Sequence, residues 1–170
     1  MTKNELVLGI TMGDPAGIGP EIILMALADE EVARSCRPLV IGDADTMRAA
    51  AEIVGSSPRI RAVDVVSEAQ FRTGVVDVLD LKNVDLERLQ RGKVDPAAGK
   101  AAFECLSKAI DLALDDQIAA IVTAPLNKEA LNAAGYHYAG HTEILADRCE
   151  SDVTMMLVSK ELRVSHVSTH

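Results

Sequence analysis

The sequence predicts an α/β fold in which helices cover a largely parallel sheet. Residues 118–122 are continuously apolar, as strands buried on both faces of a parallel sheet are. Residues 5–12 form another apolar strand, and a glycine-rich turn joins it to a helix, so the chain opens on a βα unit. Aromatic residues make up only 2% of the chain, and Ala, Val, Leu and Ile supply the interior. Such an interior is common where helices pack on a parallel sheet.

The size and charge of the chain limit the number of domains and the class of ligand. With 170 residues, of which 48% are hydrophobic, the chain can bury one good core, so we expect one domain or a domain with part of a second. The net charge of −9 and the lack of clustered Lys and Arg argue against nucleic acid as a partner. A phosphorylated small molecule stays open, because one pocket needs few positive groups.

The cysteines and the N-terminal residues indicate a cytoplasmic protein without a membrane partner. Three cysteines lie far apart with no C-x-x-C motif, so neither a disulfide framework nor a cysteine zinc site is indicated. Reduced thiols are typical of the cytosol. The first apolar run is too short for a signal peptide, and no apolar segment approaches about 20 residues.

The glycine-rich turn after the first strand has two interpretations. Its glycines, at 13, 17 and 19, fit neither the dinucleotide-binding nor the P-loop spacing. Pro20 and Glu21 favour a helix start over residues 21–28, so the turn is either a tight βα connection or a place where a ligand approaches the backbone. Asp14 either contacts a cofactor or closes the turn.

The middle of the chain continues the alternation of strands and helices. A strand at 38–41 precedes Asp43, which we expect to cap the following helix through residue 54. Residues 59–66 and 75–81 predict two more strands, the second at an edge or in a hairpin. The charged residues 82–93 are interpreted as a solvated loop without a function.

The longest helix is predicted to begin at Pro96, with Asp95 as its cap. Phe103, Leu106, Ile110 and Ala113 recur at helical spacing and predict its buried face. After the strand at 118–122, residues 127–134 predict a short helix that ends at Gly135. Gly140 then allows a turn into a further helix, and two strands, 153–158 and 162–169, are close enough to form an antiparallel hairpin.

The start of the helix after Gly140 is the first candidate site. His141 and Thr142 lie in its first turn, where free N–H groups and a partial positive charge could hold a carboxylate or a phosphate. The alternative is that Thr142 caps the helix and His141 is an ordinary surface residue. Lys128 either steadies a substrate phosphate or is a solvated lysine at a helix start.

The four histidines form two pairs with i, i+4 spacing, which on one helix would suit a zinc ion. Gly140 separates His137 from His141. On a strand, His166 and His170 would be about 13 Å apart, too far to share a metal. At most one residue of each pair is then a ligand. His170, at a strand tip, is the better candidate, and a solvated histidine is the alternative.

Four motifs in one order resemble a known family. ITMGDPAGIGPEI (10–22), VTAPLNKEALNAAG (122–135), YAGHTEILA (138–146) and TMMLVSKELRVSHVSTH (154–170) are similar to the N-terminal half of the 4-hydroxythreonine-4-phosphate dehydrogenase family. GHTEILA with SHVSTH resembles the branch acting on 4-phospho-D-threonate or 4-phospho-D-erythronate more than the branch of pyridoxine biosynthesis.

This resemblance implies an isocitrate/isopropylmalate dehydrogenase-like α/β/α sandwich, a homodimer, and NAD-dependent oxidation and decarboxylation of a phosphorylated four-carbon hydroxy acid. The metal would be zinc, magnesium, cobalt or manganese, held by three histidines. His141 and Thr142 match the substrate-binding pair of the family, and His170 matches its first metal histidine. The resemblance assigns no catalytic or cofactor-binding residue in this chain.

The resemblance covers the whole chain but only about half of a family member. It implies a first α/β domain over 1–122, lacking its C-terminal return, and the start of a second, substrate- and metal-binding domain over 123–170. The sequence stops inside or at the end of a predicted strand, so we expect more chain to follow. Alone, the 170-residue chain should not reduce NAD. The alternatives are a non-catalytic half-length binding module and an enzyme like the phosphate acyltransferases, which share this broad fold.

Overall fold

A computed structural model describes residues 6–55 and 58–166 of the chain. Seven strands and six α-helices occur in these ranges. The strands are β1 (Val7–Thr11), β2 (Arg37–Gly42), β3 (Arg59–Val63), β4 (Val75–Asp80), β5 (Ala120–Thr123), β6 (Met156–Val158) and β7 (Arg163–Ser165). The helices are α1 (Gly19–Leu27), α2 (Glu30–Ser35), α3 (Ala44–Ile53), α4 (Pro96–Leu114), α5 (Lys128–Ala133) and α6 (His141–Arg148).

The first five strands form one parallel sheet in the order β3-β4-β2-β1-β5. Every pairing between neighbours is parallel, which confirms the predicted α/β class. The expectation that β4 lies at an edge or in a hairpin is wrong, because β4 pairs with both β2 and β3. Alternation within a strand reports which faces are buried, and it does not reveal the neighbours in the sheet.

The strand β5 is more exposed than its apolar sequence predicts. Within the described residues it lies at the end of the sheet and pairs only with β1. The side chain of Val122 is 46% exposed as a result, so the prediction of a strand buried on both faces is wrong for these residues. A strand with one neighbour leaves one row of backbone N–H and C=O groups unpaired.

Helices cover both faces of the sheet. On one face, Ile23 and Leu24 of α1 pack with Met47 of α3 and with Val40 of β2. On the other face, Leu112 of α4 packs in a cluster that is completed by Leu39, Ile41, Val63, Leu79, Ala109 and Ile118. Successive residues of β2 therefore point into opposite layers, as the period of a strand requires.

The outer side of α4 carries α5 and α6. Leu106 and Ile110 of α4 are buried against Leu131 of α5 and Ile144 of α6, and Phe103 packs against this cluster. The predicted apolar stripe of α4 is thus confirmed. Gly99 allows α5 to approach closely, because a Cβ at this residue would lie 2.2 Å from the carbonyl oxygen of Ala130.

The predicted helix caps are present. The Asp43 carboxylate accepts from Thr46 N at 2.7 Å, and the Asp95 carboxylate accepts from Ala97 N at 2.8 Å. Asn127 caps α5, although no cap was predicted there. Each of these bonds occupies a backbone N–H that has no partner within its helix. The polar helix α2 was not predicted, because six residues without an apolar repeat give little periodicity.

The chain after α6 forms the predicted antiparallel hairpin. Met156 pairs with Ser165, and Val158 pairs with Arg163. Both strands are shorter than predicted, and residues 167–170 of the second lie outside the described residues. The hairpin is apolar but exposed: Leu157 is 57% exposed and Val158 is 65% exposed. It forms a sheet separate from the five parallel strands.

The three cysteines are free thiols, in agreement with the sequence. Cys105 is completely buried on α4, where burial raises its pKa to about 12 and its thiol contacts Asn83. Burial also raises the pKa of Cys36. In the described ranges, none of the helices combines the length and the apolar character that a membrane span requires.

Candidate functional site

The carboxyl ends of β1 and β5 lie side by side, and the chain leaves them in different directions. The region bounded by the turn after β1, the loop after β5 and the start of α6 is called the crevice. The two strands are neighbours, with Thr11 beside Thr123. The helix after β1 packs on one face of the sheet, whereas the helices after β5 pack on α4 at the other face. In parallel α/β sheets, ligands bind where the connections of neighbouring strands diverge in this way.

The glycine-rich turn after β1 packs directly on the loop after β5. Asp14 N donates to the carbonyl oxygen of Pro125 at 3.0 Å. Gly13 has a φ of +74°, and a Cβ there would lie 2.4 Å from the same oxygen. Gly19 is equally restricted, because its Cβ would lie 2.3 Å from the carbonyl oxygen of Met12. Gly13 is therefore required where the turn approaches the loop after β5, and Gly19 is required where the start of α1 approaches Met12.

Asp14 is the buried acid of this turn. Its side chain is only 4% exposed and accepts from Ala16 N at 2.8 Å. Burial raises the pKa of the carboxyl group, while hydrogen bonds from the backbone of Ala16 and Gly17 act in the opposite direction. The negative charge of Asp95 raises the pKa further. Asp14 therefore closes the turn, as one of its two predicted roles requires.

The loop of residues 82–93 is attached to the glycine-rich turn. Gly92 N donates to the carbonyl oxygen of Ala16 at 2.7 Å, and Arg91 pairs with Glu21 of α1 at 2.8 Å. The other carboxylate oxygen of Glu21 is buried without a hydrogen-bond partner among the described residues. Most residues of this loop are exposed, as predicted for a solvated loop. Its contacts with Ala16 and Glu21 also attach it to the start of α1, which was not predicted.

His141 and Thr142 lie at the other side of the crevice, in the first turn of α6. Both are half-buried. Burial lowers the pKa of His141, a hydrogen bond with the Ala124 backbone opposes this, and the positive charge of Lys128 lowers the pKa further. The imidazole therefore favours its neutral form, and a ring nitrogen that does not bond to Ala124 can donate to or accept from a ligand.

No side-chain cap of α6 is present among the described residues. The N-cap residue is Gly140, and no described side chain accepts from the first N–H groups of the helix. The alternative that Thr142 caps the helix is therefore wrong. The first turn of α6 keeps its N–H groups and its partial positive charge available to an anion.

Lys128 also lies at this helix start. Its Cε and Nζ atoms lie 3.6 Å and 4.0 Å from the position that a Cβ on Gly140 would occupy. From the sequence, Lys128 could have either of two roles: it could contact a substrate phosphate, or its side chain could be solvated. No pattern in the sequence shows that a residue of α5 reaches the first turn of α6.

The residue predicted as a metal ligand, His170, lies outside the described residues. Within 6–55 and 58–166, no three His, Cys, Asp or Glu side chains are arranged so that they could hold a metal ion. The described residues that follow β1 and β5 thus include a buried carboxylate, a half-buried histidine and threonine, an exposed lysine and a helix start without a side-chain cap. This arrangement suits a small anionic ligand.

A family model described as "Pyridoxal phosphate biosynthetic protein PdxA" matches residues 34–170. The chain belongs to the PdxA family. The D-threonate 4-phosphate dehydrogenase of Cupriavidus necator is 49% identical over 165 residues, which are 96% of this chain and 49% of that protein. The 4-hydroxythreonine-4-phosphate dehydrogenase of Desulforapulum autotrophicum is 41% identical over 171 residues, 100% of this chain and 50% of its own length.

Solved structures of the PdxA family share the fold. The crystal structure of a 4-hydroxythreonine-4-phosphate dehydrogenase from Burkholderia phymatum superposes with a TM-score of 0.92 at 47% identity, over 97% of this chain and 50% of that one. This similarity confirms the predicted family. The chain spans about half the length of the curated relatives it matches.

Proposed function

We propose that the polypeptide to which this chain belongs oxidises a phosphorylated four-carbon hydroxy acid with NAD. The 49% identity with the D-threonate 4-phosphate dehydrogenase of Cupriavidus necator, over 96% of the chain, carries this proposal. The substrate would be 4-phospho-D-threonate, 4-phospho-D-erythronate or 4-phosphohydroxy-L-threonine. NAD would accept a hydride from the carbon of the secondary alcohol, and the hydroxyl proton would pass to solvent. The neighbouring carboxylate of the ketone product would then leave as carbon dioxide, and a proton from solvent would take its place on carbon.

His141 and Thr142 would bind the substrate. Their position at the uncapped start of α6 supports this role, because an oxyanion there can accept hydrogen bonds from backbone N–H groups and from the threonine hydroxyl. A neutral His141 adds a hydrogen bond without placing a second positive charge beside the exposed Lys128. The glycine-rich turn and the loop after β5 pack together, and Asp14 is buried where they meet.

A divalent metal, with His170 as its first ligand, belongs to the same proposal. The described residues do not supply a set of metal ligands, so the described side chains are assigned only binding and orienting roles. The divalent metal, the use of NAD and the homodimer stay predictions of the resemblance. The cytoplasmic location stays a prediction from the cysteines and the N-terminal residues.

The division of the chain into domains at 1–122 and 123–170 also stays a proposal. The β6–β7 hairpin supports a second unit within 123–170, because it forms a sheet separate from the five parallel strands. The packing of Leu131 and Ile144 on α4 means that α5 and α6 would lie at the junction between the two units.

The test uses the polypeptide expressed from its complete gene. We expect reduction of NAD and release of carbon dioxide with 4-phospho-D-threonate and a divalent metal. His141→Gln should lower kcat/KM by about 10- to 100-fold, as expected for the loss of a hydrogen bond to a charged group. His137→Gln is the matched control, because His137 is exposed and its Nδ1 atom lies 3.4 Å from the side-chain oxygen of Asn132 on α5.

Three other outcomes would contradict the proposal. Binding of the phosphorylated acid without turnover would identify a binding module. Formation of an acyl phosphate from an acyl donor and inorganic phosphate would identify an acyltransferase. The third outcome is that the protein in its native cell has the mass of the 170-residue chain and does not reduce NAD. This result would show that the protein is not a dehydrogenase.

A further inference from the structure

We propose that Lys128 is a substrate-binding residue of this crevice, and that its ammonium group binds an oxyanion of the substrate at the start of α6. This inference rests on the proposed function and adds a residue that the resemblance does not assign. The oxyanion is either the phosphate or the carboxylate of the hydroxy acid, and the two arms of the experiment below separate them.

The side chain of Lys128 is directed at the N-cap of α6. Lys128 is the first residue of α5, whose start is fixed by Asn127 accepting from Glu129 N at 2.9 Å and from Ala130 N at 3.0 Å. From there its Cε and Nζ atoms reach within 3.6 Å and 4.0 Å of the point where Gly140 would carry a Cβ. The absence of a side chain on Gly140 leaves this space open.

The backbone that carries Lys128 is firmly supported. A Cβ on Gly99 of α4 would lie 2.2 Å from the carbonyl oxygen of Ala130, so α4 and α5 are in direct backbone contact. Leu131 is completely buried in the same interface. The backbone of a binding residue on an element held in this way loses little conformational freedom when a ligand arrives, although the exposed lysine side chain itself becomes ordered.

The charge of Lys128 is not neutralised by a partner in the described part of the chain. No carboxylate oxygen there lies within 4 Å of its Nζ atom. The nearest acid, Glu143, places Oε2 3.7 Å from the same Cβ position of Gly140, but it makes no ion pair with the lysine. His141 is biased to its neutral form by burial and by this same lysine. The positive charge of the ammonium group and the partial positive charge of the helix start therefore lie close together. An anion bound there would interact favourably with both.

The experiment measures KM for 4-phospho-D-threonate with the polypeptide expressed from its complete gene, NAD and a divalent metal. Lys128→Ala should raise KM about 10- to 100-fold, the loss expected for a charge-assisted hydrogen bond. Lys128→Arg should retain most of the affinity, because it keeps the charge. Lys108→Ala is the matched control: it removes an equal charge from an exposed position of α4 and should leave KM unchanged.

A second readout does not depend on catalysis. The pKa of His141, followed by NMR of its ring protons, should rise in Lys128→Ala and not in Lys108→Ala, because the positive charge near the imidazole is removed. If Lys128 contributed only to the stability of α5, its replacement would not change the pKa of His141. Calorimetric binding of 4-phospho-D-threonate should weaken in the same variant.

The outcomes separate this inference from the function on which it rests. A change for 4-phospho-D-threonate but not for D-threonate assigns the phosphate to Lys128, and an equal change for both assigns the carboxylate. Normal KM and normal binding in Lys128→Ala, with an active wild type, overturn the inference alone. A wild type that neither oxidises nor binds the phosphorylated acid overturns the proposed function and the assignment of Lys128 together.

Discussion

The backbone N–H of Asp14 donates to the carbonyl oxygen of Pro125 at 3.0 Å, and this bond joins the turn after β1 to the loop after β5. The two residues are more than a hundred positions apart in the sequence. Their contact brings the glycine-rich motif and the motif that leads to His141 to one edge of the sheet. Substitutions at this junction should therefore change both the stability of the fold and the positions of the residues in the crevice.

Gly13→Ala tests the close approach at this junction. The substitution places a Cβ 2.4 Å from Pro125 O and forces alanine to a φ of +74°. The left-handed conformation alone costs roughly 1–2 kcal/mol, and the clash adds to it. Gly74→Ala is the matched control, since Gly74 has a φ of +77° but no atom within 4 Å of its Cβ position. Equal losses of unfolding free energy in denaturant titrations would contradict the close contact.

The pH dependence of stability should reveal the buried charge of Asp14. The pKa of this residue is raised in the folded state above its ordinary value of 3.8, so the folded state retains a proton that the unfolded state releases. The free energy of unfolding should therefore decrease as pH rises from 3.8 to the folded pKa.

Asp14→Asn should remove this decrease, because the amide oxygen can still accept from Ala16 N without carrying a charge. Asp152→Asn changes an exposed acid and serves as the control. Denaturant titrations over a series of pH values measure the effect. A pH slope that persists in Asp14→Asn and disappears in Asp152→Asn would show that Asp14 is not its source.

His141 should make the opposite contribution. Its pKa is lowered from 6.5 in the folded state, so the unfolded state binds the proton first as pH falls. Its contribution to stability is present above pH 6.5 and is lost as pH falls through 6.5 toward the folded pKa. We expect His141→Gln to flatten the stability curve in this window and His137→Gln to leave it unchanged. NMR titration of the ring protons measures the same pKa directly.

Arg91→Ala tests the attachment of residues 82–93. It leaves the Glu21 carboxylate, whose side chain is 17% exposed, without its partner. We expect a loss of about 1–2 kcal/mol, since a partly buried charge then lacks a hydrogen bond. Arg88→Ala breaks an ion pair whose arginine side chain is 88% exposed, and it should cost less than about 0.5 kcal/mol. A similar small effect of both substitutions would mean that the loop does not restrain α1.

The predictions that succeeded from sequence depend on neighbouring residues. Asp43 and Asp95 were predicted as caps because a cap and its helix lie within one turn of each other. The hairpin was predicted because the connection between its strands is short. The order of strands in the sheet has no such local origin, so the place of β4 was wrong.

The residues of the candidate site also differ in whether their role depends on neighbours in the sequence or on distant contacts. His141 and Thr142 were found because a glycine and a helix start adjoin them in the sequence. Arg91 and Glu21 are separated by 70 residues, and their contact depends on how a loop folds back over α1. The reach of Lys128 to Gly140 depends on the packing of α5 against α4, which the pattern of apolar residues does not fix.

The buried thiol of Cys105 can be used to measure how often the interior of this protein opens to solvent. Because the side chain faces the sheet from α4 and its pKa is raised to about 12, thiol reagents can modify it only when the helix and sheet separate. The modification rate of Cys105 therefore measures how often the interior opens to solvent. A substrate or partner that closes the crevice would slow that rate without touching the cysteine.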